Sequence, residues 1–497
     1  MILLLLMIAV LSFSPERLRM LYNSLDPTSI HEHLAFWELY PETVEGKRAL
    51  GDIQRLLTMS DRALAVPDAD LSKAVVGIVA LVNKPTDREL PILSDETLDL
   101  MKKLGASLPN RQLKGSKAVS EEEVIQLPPE EIDLARGLLL SELGPSQLPK
   151  IESYEALLDL MALQIRARLS PGALDADKVY EMNRYIFEEL GYRFPPHSAY
   201  TVDIDLYTFL PSVMDSHRGV CLGVSILYIA LAQRLDLKLE MVTPPGHIYI
   251  RTKEINIETT ARGIHLDSSV YLGVDTRSLE IRNIKEVIGM AHFNQAAIFW
   301  RKSDPKQALK CYERAYPYMK EDKHLLELMA YNTLLDGDEK KAIEMLQQLK
   351  DWLPEQAVSP NTVIQDLLSG KADAEALRAI YQEVDENRRS LLEKKAKIEI
   401  ALGRCPEFRA GWLSLAVTYL QLHRMKEALH ALQELHRLDP NDATSEYYLS
   451  TLFAERLDYP SAWRHLRQAE RLTAARNHFP KALKSLRREL ALLYPEM

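Results

Sequence analysis

One stretch of the sequence decides the fold: Arg218-Gly-Val-Cys221-Leu-Gly-Val-Ser-Ile-Leu-Tyr228-Ile-Ala-Leu-Ala-Gln-Arg234. It predicts a loop that turns into a helix at Cys221, with an apolar, core-facing stripe formed by Leu222, Ile226, Ile229 and Leu235, with Ala230 between them. Two segments that alternate polar and apolar residues follow, His247-Ile-Tyr-Ile-Arg251 and Glu254-Ile-Asn-Ile-Glu258. Alternation of this kind is typical of half-buried strands. The sequence therefore predicts a helix packed on a small antiparallel sheet.

The pairing of these two strands can also be predicted. If Thr252-Lys253 forms a two-residue turn, His247 lies opposite Glu258, and Arg251 lies opposite Glu254. The four isoleucines of the two segments then share the other face, and a shift by one residue would mix the polar and apolar faces.

Cys221, His247 and Glu258 form a candidate catalytic site. A cysteine that opens a helix, followed by a histidine and an acid on strands, is the arrangement of a thiol nucleophile with its base and orienting group. The helix dipole and an imidazolium at His247 are expected to lower the thiol pKa. The backbone N–H groups of the first helical turn would hold an oxyanion.

Other interpretations of these residues stay open. Cys221 can be a small buried apolar residue, and His247 can be a polar residue at a strand start. Asn256 and Asp267 are alternative orienting groups, and Tyr249 can line the cleft or bind a ligand. The spacing of His217, Arg218 and His265 does not suggest a metal site, and we predict neither a metal nor a cofactor.

Composition narrows the class of protein. The chain has 497 residues, a length that predicts two or three domains. It has only 19 glycines, which favours a mostly helical protein. Its formal net charge of −10 gives no indication of nucleic-acid binding. The basic run from Arg464 to Arg487 is interpreted as a solvated helix face. Three widely spaced cysteines, at 221, 311 and 405, exclude a structural zinc cluster and argue against a disulfide framework.

Five segments are predicted along the chain. Residues 1–13 are apolar and uncharged, and export, membrane association or a buried helix all remain open, so the compartment stays open as well. Residues 14–110 form a helical region, and 111–129 are predicted to be a mobile polar linker. Residues 130–285 form the core that carries the candidate site, and residues 286–497 carry repeats.

The repeats show a spacing of 34 residues. Ala308 and Ala342 are one such pair, and Ala428 and Ala462 are another. Around Ala428 the tetratricopeptide pattern is complete, with its large and small residues at Trp412, Leu415, Ala416, Tyr419, Leu432 and Pro440. Ala376 marks a divergent unit, followed by a charged helix near 386–401. The spacing predicts an α-solenoid of helical hairpins whose groove binds a protein or peptide partner.

Several segments of the core resemble the bacterial SirB-type, transglutaminase-like core family, which typically carries tetratricopeptide repeats after its core. The matching segments are Ala135–Leu140, Met182–Gly191, Phe209–Met214, Arg218–Tyr228, Ala232–Leu237 and Pro245–His247. The resemblance covers roughly residues 130–475. It implies a papain-like fold, so the predicted class is α+β, mostly α, with a transglutaminase-like core before the solenoid.

The resemblance leaves activity open. Many SirB-type members lack the cysteine, whereas this chain has Cys221 and His247 at the positions that transglutaminase-like enzymes use. Glu258 departs from the usual Asp by one methylene. One hypothesis is a cysteine hydrolase or acyltransferase acting on protein or peptide amides, with hydrolysis favoured because no calcium loop is apparent. The alternative is an inactive fold that serves with the repeats as an interaction scaffold.

Overall fold

The computed structural model describes residues 14–58, 68–196, 204–385 and 387–495. They form a mostly helical α+β structure, which confirms the predicted fold class. The apolar segment 1–13 lies outside the described residues. Within the described ranges, no helix combines the length and the apolar character needed to cross a bilayer.

The amino-terminal region is helical, and several of its helices begin at a serine whose hydroxyl accepts a backbone N–H. It packs on the core through Gln164, whose side-chain amide bonds both Ile30 N–H and Thr28 C=O. Its helices are α1 Pro15–Asn23, α2 Ile30–Leu39, α3 Val44–Thr58, α4 Asp68–Val82 and α5 Asp95–Gly105.

Residues 111–129 are packed against the core, so the prediction of a mobile linker is wrong. The segment contains short 3₁₀ turns and α6, Glu121–Gln126. Its backbone is held from the core, because Arg136 donates through Nε to Ala118 C=O. A Cβ on Gly115 would lie 2.7 Å from the Asp133 nitrogen, which shows how closely the two backbones approach. The segment has the polar composition of a linker because most of its charged side chains point to the solvent, while several of its small and apolar residues pack on the core.

The core surrounds one mostly apolar helix that is buried along almost its whole length. Its helices are α7 Leu134–Leu143, α8 Leu148–Arg168, α9 Asp175–Asn183, α10 Leu210–Ser216 and α11 Cys221–Arg234. The predicted stripe of α11 is buried, but so is nearly every other position of this helix. A helix that is apolar on all sides requires neighbours on all sides. At its carboxyl end, the fully buried Arg234 pairs with Asp159, with Nε 2.7 Å from Oδ1.

An antiparallel four-stranded sheet packs beside α11 in the order β3-β2-β1-β4. The strands are β1 Glu240–Thr243, β2 Tyr249–Arg251, β3 Asn256–Ile257 and β4 Glu280–Arg282. Ile250 pairs with Ile257, and Arg251 pairs with Asn256.

The predicted register is therefore wrong by two residues. Thr252 N–H donates to Ile255 C=O, so the turn is formed by Lys253 and Glu254 and not by Thr252 and Lys253. Arg251 forms its ion pair with Glu240 on β1 and not with Glu254. Because side chains alternate with a period of two, this shift keeps His247 and Glu258 on the same face and the isoleucines on the other.

The carboxyl-terminal part consists of stacked helical hairpins, as the 34-residue spacing predicts. Many of its helices begin at an aspartate that accepts a backbone N–H, such as Asp304, Asp338 and Asp458. The helices are α12 Ile284–Arg301, α13 Pro305–Ala315, α14 Lys323–Leu335, α15 Glu339–Gln347, α16 Thr362–Leu368, α17 Ala374–Ile380, α18 Arg388–Arg404, α19 Arg409–Gln421, α20 Met425–Leu438, α21 Ala443–Glu455, α22 Tyr459–Ala474 and α23 Lys481–Leu493.

The repeated alanines occupy one structural position. Ala308, Ala342, Ala428 and Ala462 each lie in the first turn of the second helix of a hairpin, and each is fully buried. A small side chain there lets the two helices approach closely. Ala376 is equally buried in α17, and the charged helix predicted near 386–401 is α18.

One hydrophobic core runs through all of these parts. It extends without a break from Ile30 in α2, through α11, to Leu452 in α21. The repeats therefore pack directly on the core, and this packing creates the cavity described below.

Candidate functional site

Cys221 is the first residue of α11. Val220 precedes it in extended conformation, and no side chain caps this helix. The following turn needs a glycine, because a Cβ on Gly223 would lie 2.3 Å from the Tyr207 carbonyl oxygen. The Cys221 residue is partly exposed to solvent, but its thiol is surrounded largely by protein atoms.

The environment of the thiol raises its pKa. Burial raises the pKa of Cys221 to about 11, and the negative charge of Asp205 acts in the same direction. The backbone N–H groups of Leu222, Ile248 and Cys221 itself oppose this rise. The expectation of a lowered pKa is therefore wrong: desolvation exceeds the stabilisation that the helix start provides.

His247 lies in the loop between β1 and β2. Gly246 precedes it with φ of 72°, and the His247 N–H donates to Pro244 C=O across this turn. The ring Nε2 is 2.7 Å from Glu258 Oε2. Glu258 is only 3% exposed, so its carboxylate is directed to protein partners. The structure thus brings two of the three predicted site residues into direct contact.

Tyr271 supports both members of this pair. Its hydroxyl donates to Glu258 Oε1, so each carboxylate oxygen has a partner. Its ring stacks on the His247 imidazole, with centroids 5.2 Å apart and planes inclined by 21°. Burial, followed by the hydrogen bond to Glu258, raises the pKa of the Tyr271 phenol. Tyr271 was missed in the sequence because it lies in an irregular segment without a periodic pattern.

Cys221 and His247 line the same cavity. Ile248, next to His247, directs its N–H at the Cys221 sulfur, and Thr259, next to Glu258, donates its hydroxyl to the Cys221 carbonyl at 3.4 Å. Within the described ranges, no hydrogen bond joins the thiol to the ring. The thiol and the imidazole therefore line the same cavity. They do not form the hydrogen bond that direct proton transfer requires.

The other candidates have different partners. The Asn256 amide donates to Leu266 C=O and Ser268 Oγ, and Asp267 accepts from the Ser269 backbone, so neither contacts His247. Tyr249 bonds Ser268 through its hydroxyl and stacks on Tyr271, which makes it a support for the wall.

Three further residues near the site in sequence are also engaged elsewhere. His217 Nδ1 contacts Leu190 C=O, Arg218 pairs with Asp87, and His265 accepts from the Asn256 N–H.

The cavity has a volume of about 900 Å³ and lies between the core and the repeats. The core contributes Cys221 and the segment 243–248, and the repeats contribute aromatic and apolar groups such as Trp352 and Tyr381. Its carboxylates are Asp275, Glu280, Glu321, Asp322, Glu327 and Glu355, whereas its cationic side chains are Arg282 and Lys323. The site therefore opens into a half-apolar, net acidic space that the sequence did not reveal.

Comparison with known proteins finds a family model for part of the chain and several distant relatives. Residues 152–273 match the family model described as the transglutaminase-like superfamily. Tetratricopeptide repeat protein 7B from Mus musculus is 27% identical over 185 residues, which cover 35% of this chain and 20% of that protein. A UPF0162 protein from Xylella fastidiosa is 29% identical over 98 residues, which cover 20% of this chain and 34% of that protein.

Solved structures give only a distant likeness. Yeast Tom70 covers 97% of this chain at 12% identity with a TM-score of 0.22. The tetratricopeptide protein TTC0263 from Thermus thermophilus covers 41% at 18% identity with a TM-score of 0.19. The curated relatives are matched over about a third of their length or less. Residues 152–273 are similar to the transglutaminase-like superfamily, and the helical hairpins that follow have tetratricopeptide-like spacing.

Proposed function

We propose that this protein is a cysteine-dependent acyltransferase or hydrolase that acts on amide bonds of a protein or peptide held between the core and the repeats. The observation that carries the proposal is that His247, which is hydrogen-bonded to Glu258, lines the same cavity as Cys221. The resemblance to the SirB-type family, whose members often lack the cysteine, supports the fold, while the presence of Cys221 supports activity.

The tautomer of His247 follows from its partner. An ionised carboxylate only accepts hydrogen bonds, so the Nε2 that faces Glu258 carries a proton and Nδ1 keeps its lone pair. We propose that Nδ1 takes the Cys221 proton when a substrate closes the contact. Glu258 stabilises the resulting imidazolium, and its bond to Tyr271 keeps the carboxylate oriented.

The reaction then has two halves. The Cys221 thiolate attacks the amide carbon, and the carbonyl electron pair moves to oxygen, where the N–H groups of the first helical turn can receive it. When the carbonyl re-forms, the C–N bond breaks and the amine leaves with the proton from His247. Water or a second amine next gives a proton to His247 and attacks the thioester, which releases the thiol.

The cavity indicates which substrates fit. Six carboxylates face two cationic side chains, and one of these, Arg282, is already paired with Glu280 and Asp322. We propose that the bound segment carries lysine or arginine side chains beside the amide that reacts, because opposite charges favour its association. Trp352 and Tyr381 would contact its apolar parts.

Acylation by p-nitrophenyl acetate tests the chemistry without knowledge of the natural substrate. The proposal expects a burst of one p-nitrophenolate per chain and one acetyl group on Cys221, found by peptide mass spectrometry. Cys221→Ala and His247→Ala should abolish the burst, and Cys405→Ala is the matched control. Acetylation of Cys311 and Cys405 at the rate of Cys221 would contradict the proposal.

A scaffold without catalytic activity is the second candidate. It is favoured by the raised pKa of Cys221 and by the open contact between thiol and imidazole. In this alternative the cavity and the repeats still bind a protein segment, and the acylation experiment gives no burst. Membrane association or export through residues 1–13 remains a separate prediction.

A further inference from the structure

The repeats contain a second group of histidine and glutamate side chains, which lies outside the cavity. His436 lies in the last turn of α20, Glu446 lies in the first turn of α21, and His465 lies in α22. The Nδ1 atom of His436 is 2.6 Å from Glu446 Oε1, and that of His465 is 2.8 Å from Oε2. One ligand atom from each residue lies within 4.8 Å of the others.

Burial makes this arrangement chemically unusual. Glu446 is fully buried, so its charge needs compensation from neighbouring groups. Both of its oxygens face imidazole nitrogens, and each imidazole directs the same atom, Nδ1, inward. A carboxylate between two imidazole nitrogens is a donor set that binds zinc and related divalent ions.

The ligands are also held in position. The His465 ring stacks on Phe453, with centroids 5.4 Å apart and planes inclined by 5°, and the two imidazoles meet edge to face. The side chain of His436 is 39% exposed, whereas those of His465 and Glu446 are 10% and 1% exposed. The cluster is therefore a rigid pocket with one accessible side, where an ion can enter and a water molecule can complete its coordination.

We propose that His436, Glu446 and His465 bind one Zn²⁺ ion. Each imidazole would move its proton from Nδ1 to Nε2, and Nδ1 would become a ligand. Zn–N and Zn–O bonds of about 2.0–2.2 Å require ligand atoms roughly 3.3 Å apart, so the two nitrogens must withdraw from their oxygens by about 0.5–0.7 Å. Rotation about the side-chain bonds of the half-exposed His436 provides most of this movement.

The ion would join two consecutive repeats. His436 belongs to the hairpin of α19 and α20, whereas Glu446 and His465 belong to the next hairpin. The start of α21 also holds the segment that meets the core, since Ala443 N–H donates to Ser359 Oγ and Ser359 N–H donates to Asp275. Zinc at this place would stiffen the solenoid next to the cavity. No sequence motif indicates this cluster, because its ligands are 10 and 19 residues apart on three helices.

Zinc titration of the full chain tests the proposal. After dialysis against EDTA, Cys221→Ala should bind one Zn²⁺ by isothermal titration calorimetry, and this background removes the thiol as a competing ligand. Adding His436→Ala should abolish that binding, whereas His430→Ala, on the same helix but outside the cluster, should leave it unchanged. Co²⁺ should give the visible absorption of a four-coordinate ion only where His436 is present.

Thermal unfolding with and without Zn²⁺ distinguishes a loss of zinc binding from a folding defect, because each variant is compared with itself. Zn²⁺ should raise the Tm of the Cys221→Ala protein and leave that of the His436→Ala variant unchanged. Failure to bind zinc, or equal binding by the two histidine variants, would overturn the proposal and leave a hydrogen-bonded cluster only. The zinc experiments use protein without Cys221, and the acylation experiment depends on Cys221. The outcome of one test therefore does not decide the other.

Discussion

Glu258 in the core and Glu446 in the repeats are both buried, and both accept hydrogen bonds from imidazoles. Glu258 binds one imidazole, that of His247, and gives its other oxygen to the Tyr271 phenol. Glu446 binds two imidazoles and no phenol. The contact distances are nearly the same, but the first pair faces a large cavity with a thiol, and the second is enclosed between three helices.

The difference shows that the contact itself does not determine its chemistry. Beside the cavity, the second nitrogen of His247 remains available for a proton from Cys221. In the repeats, the inward Nδ1 atoms of both histidines point at one carboxylate, so a shift of each proton from Nδ1 to Nε2 would free both nitrogens for a metal ion. In the two proposals, the surroundings of each glutamate therefore separate proton transfer from metal binding.

The largest expected effect comes from exchanging each histidine for alanine. His247→Ala should lower the rate of Cys221 acylation by about 10³–10⁴-fold, because the general base is lost. It should change the free energy of unfolding little, since the ring is partly exposed. His465→Ala should leave the acylation rate unchanged and destabilise the repeats. Stopped-flow acylation and urea unfolding measure the two effects, and equal effects in both assays would break the comparison.

Replacing each glutamate by glutamine gives a smaller separation. Glu258→Gln should slow acylation by about 10²-fold, because the imidazolium loses its counter-charge. Glu446→Gln should lower the free energy of unfolding by about 1–3 kcal/mol, because one imidazole donor then faces a second donor. The same two assays apply. An acylation defect in Glu446→Gln would show that the two sites are coupled.

Tyr271→Phe tests the feature that only the core pair has. The variant removes the hydroxyl that donates to Glu258 but keeps the ring that stacks on His247. A lost hydrogen bond to a carboxylate is worth about 1.5 kcal/mol, so acylation should slow by about tenfold. Tyr249→Phe, on the neighbouring ring, is the control and should have no such effect. An unchanged rate in Tyr271→Phe would mean that the phenol does not position Glu258.

The smallest effect concerns the start of the helix that carries Glu446. Burial raises the pKa of Asp442 to about 6, and Asp275 and Asp439 add to this. Its ordinary pKa is about 3.9, so the folded state binds the proton more tightly and loses stability as pH rises from about 4 to 6. Asp442→Asn keeps a helix cap and should gain on the order of 1–2 kcal/mol over wild type across this range. A difference independent of pH would contradict this.

The repeats were the most predictable part of the fold. Two helices that pack closely need a small residue at one position of every hairpin. This requirement is visible in the sequence as the alanines at positions 308, 342, 428 and 462. The order of Cys221, His247 and Glu258 was equally readable as a pattern. The β2–β3 register was not, because the turn at Lys253-Glu254 lacks the glycine or asparagine that marks tight turns.

Features that depend on distant packing could not be predicted. The cavity forms only where Trp352 and Tyr381 of the repeats approach the wall of the core, and the raised pKa of Cys221 arises from the same burial. The prediction that residues 111–129 are mobile was based on their polar composition. Composition does not reveal the hydrogen bond from Arg136 to their backbone. In each case the missing information is a contact between segments far apart in sequence.

The rate of Cys221 alkylation by iodoacetamide as a function of pH tests the central claim most directly. Cys311 and Cys405, whose pKa values burial also raises, serve as references within the same chain. If His247 takes the thiol proton whenever the contact between them closes, the wild-type rate should level off with a midpoint below the value of about 11 that burial gives, and His247→Ala should move that midpoint towards about 11. Identical profiles for the wild type and His247→Ala, both still rising near pH 11, would contradict a Cys221–His247 pair.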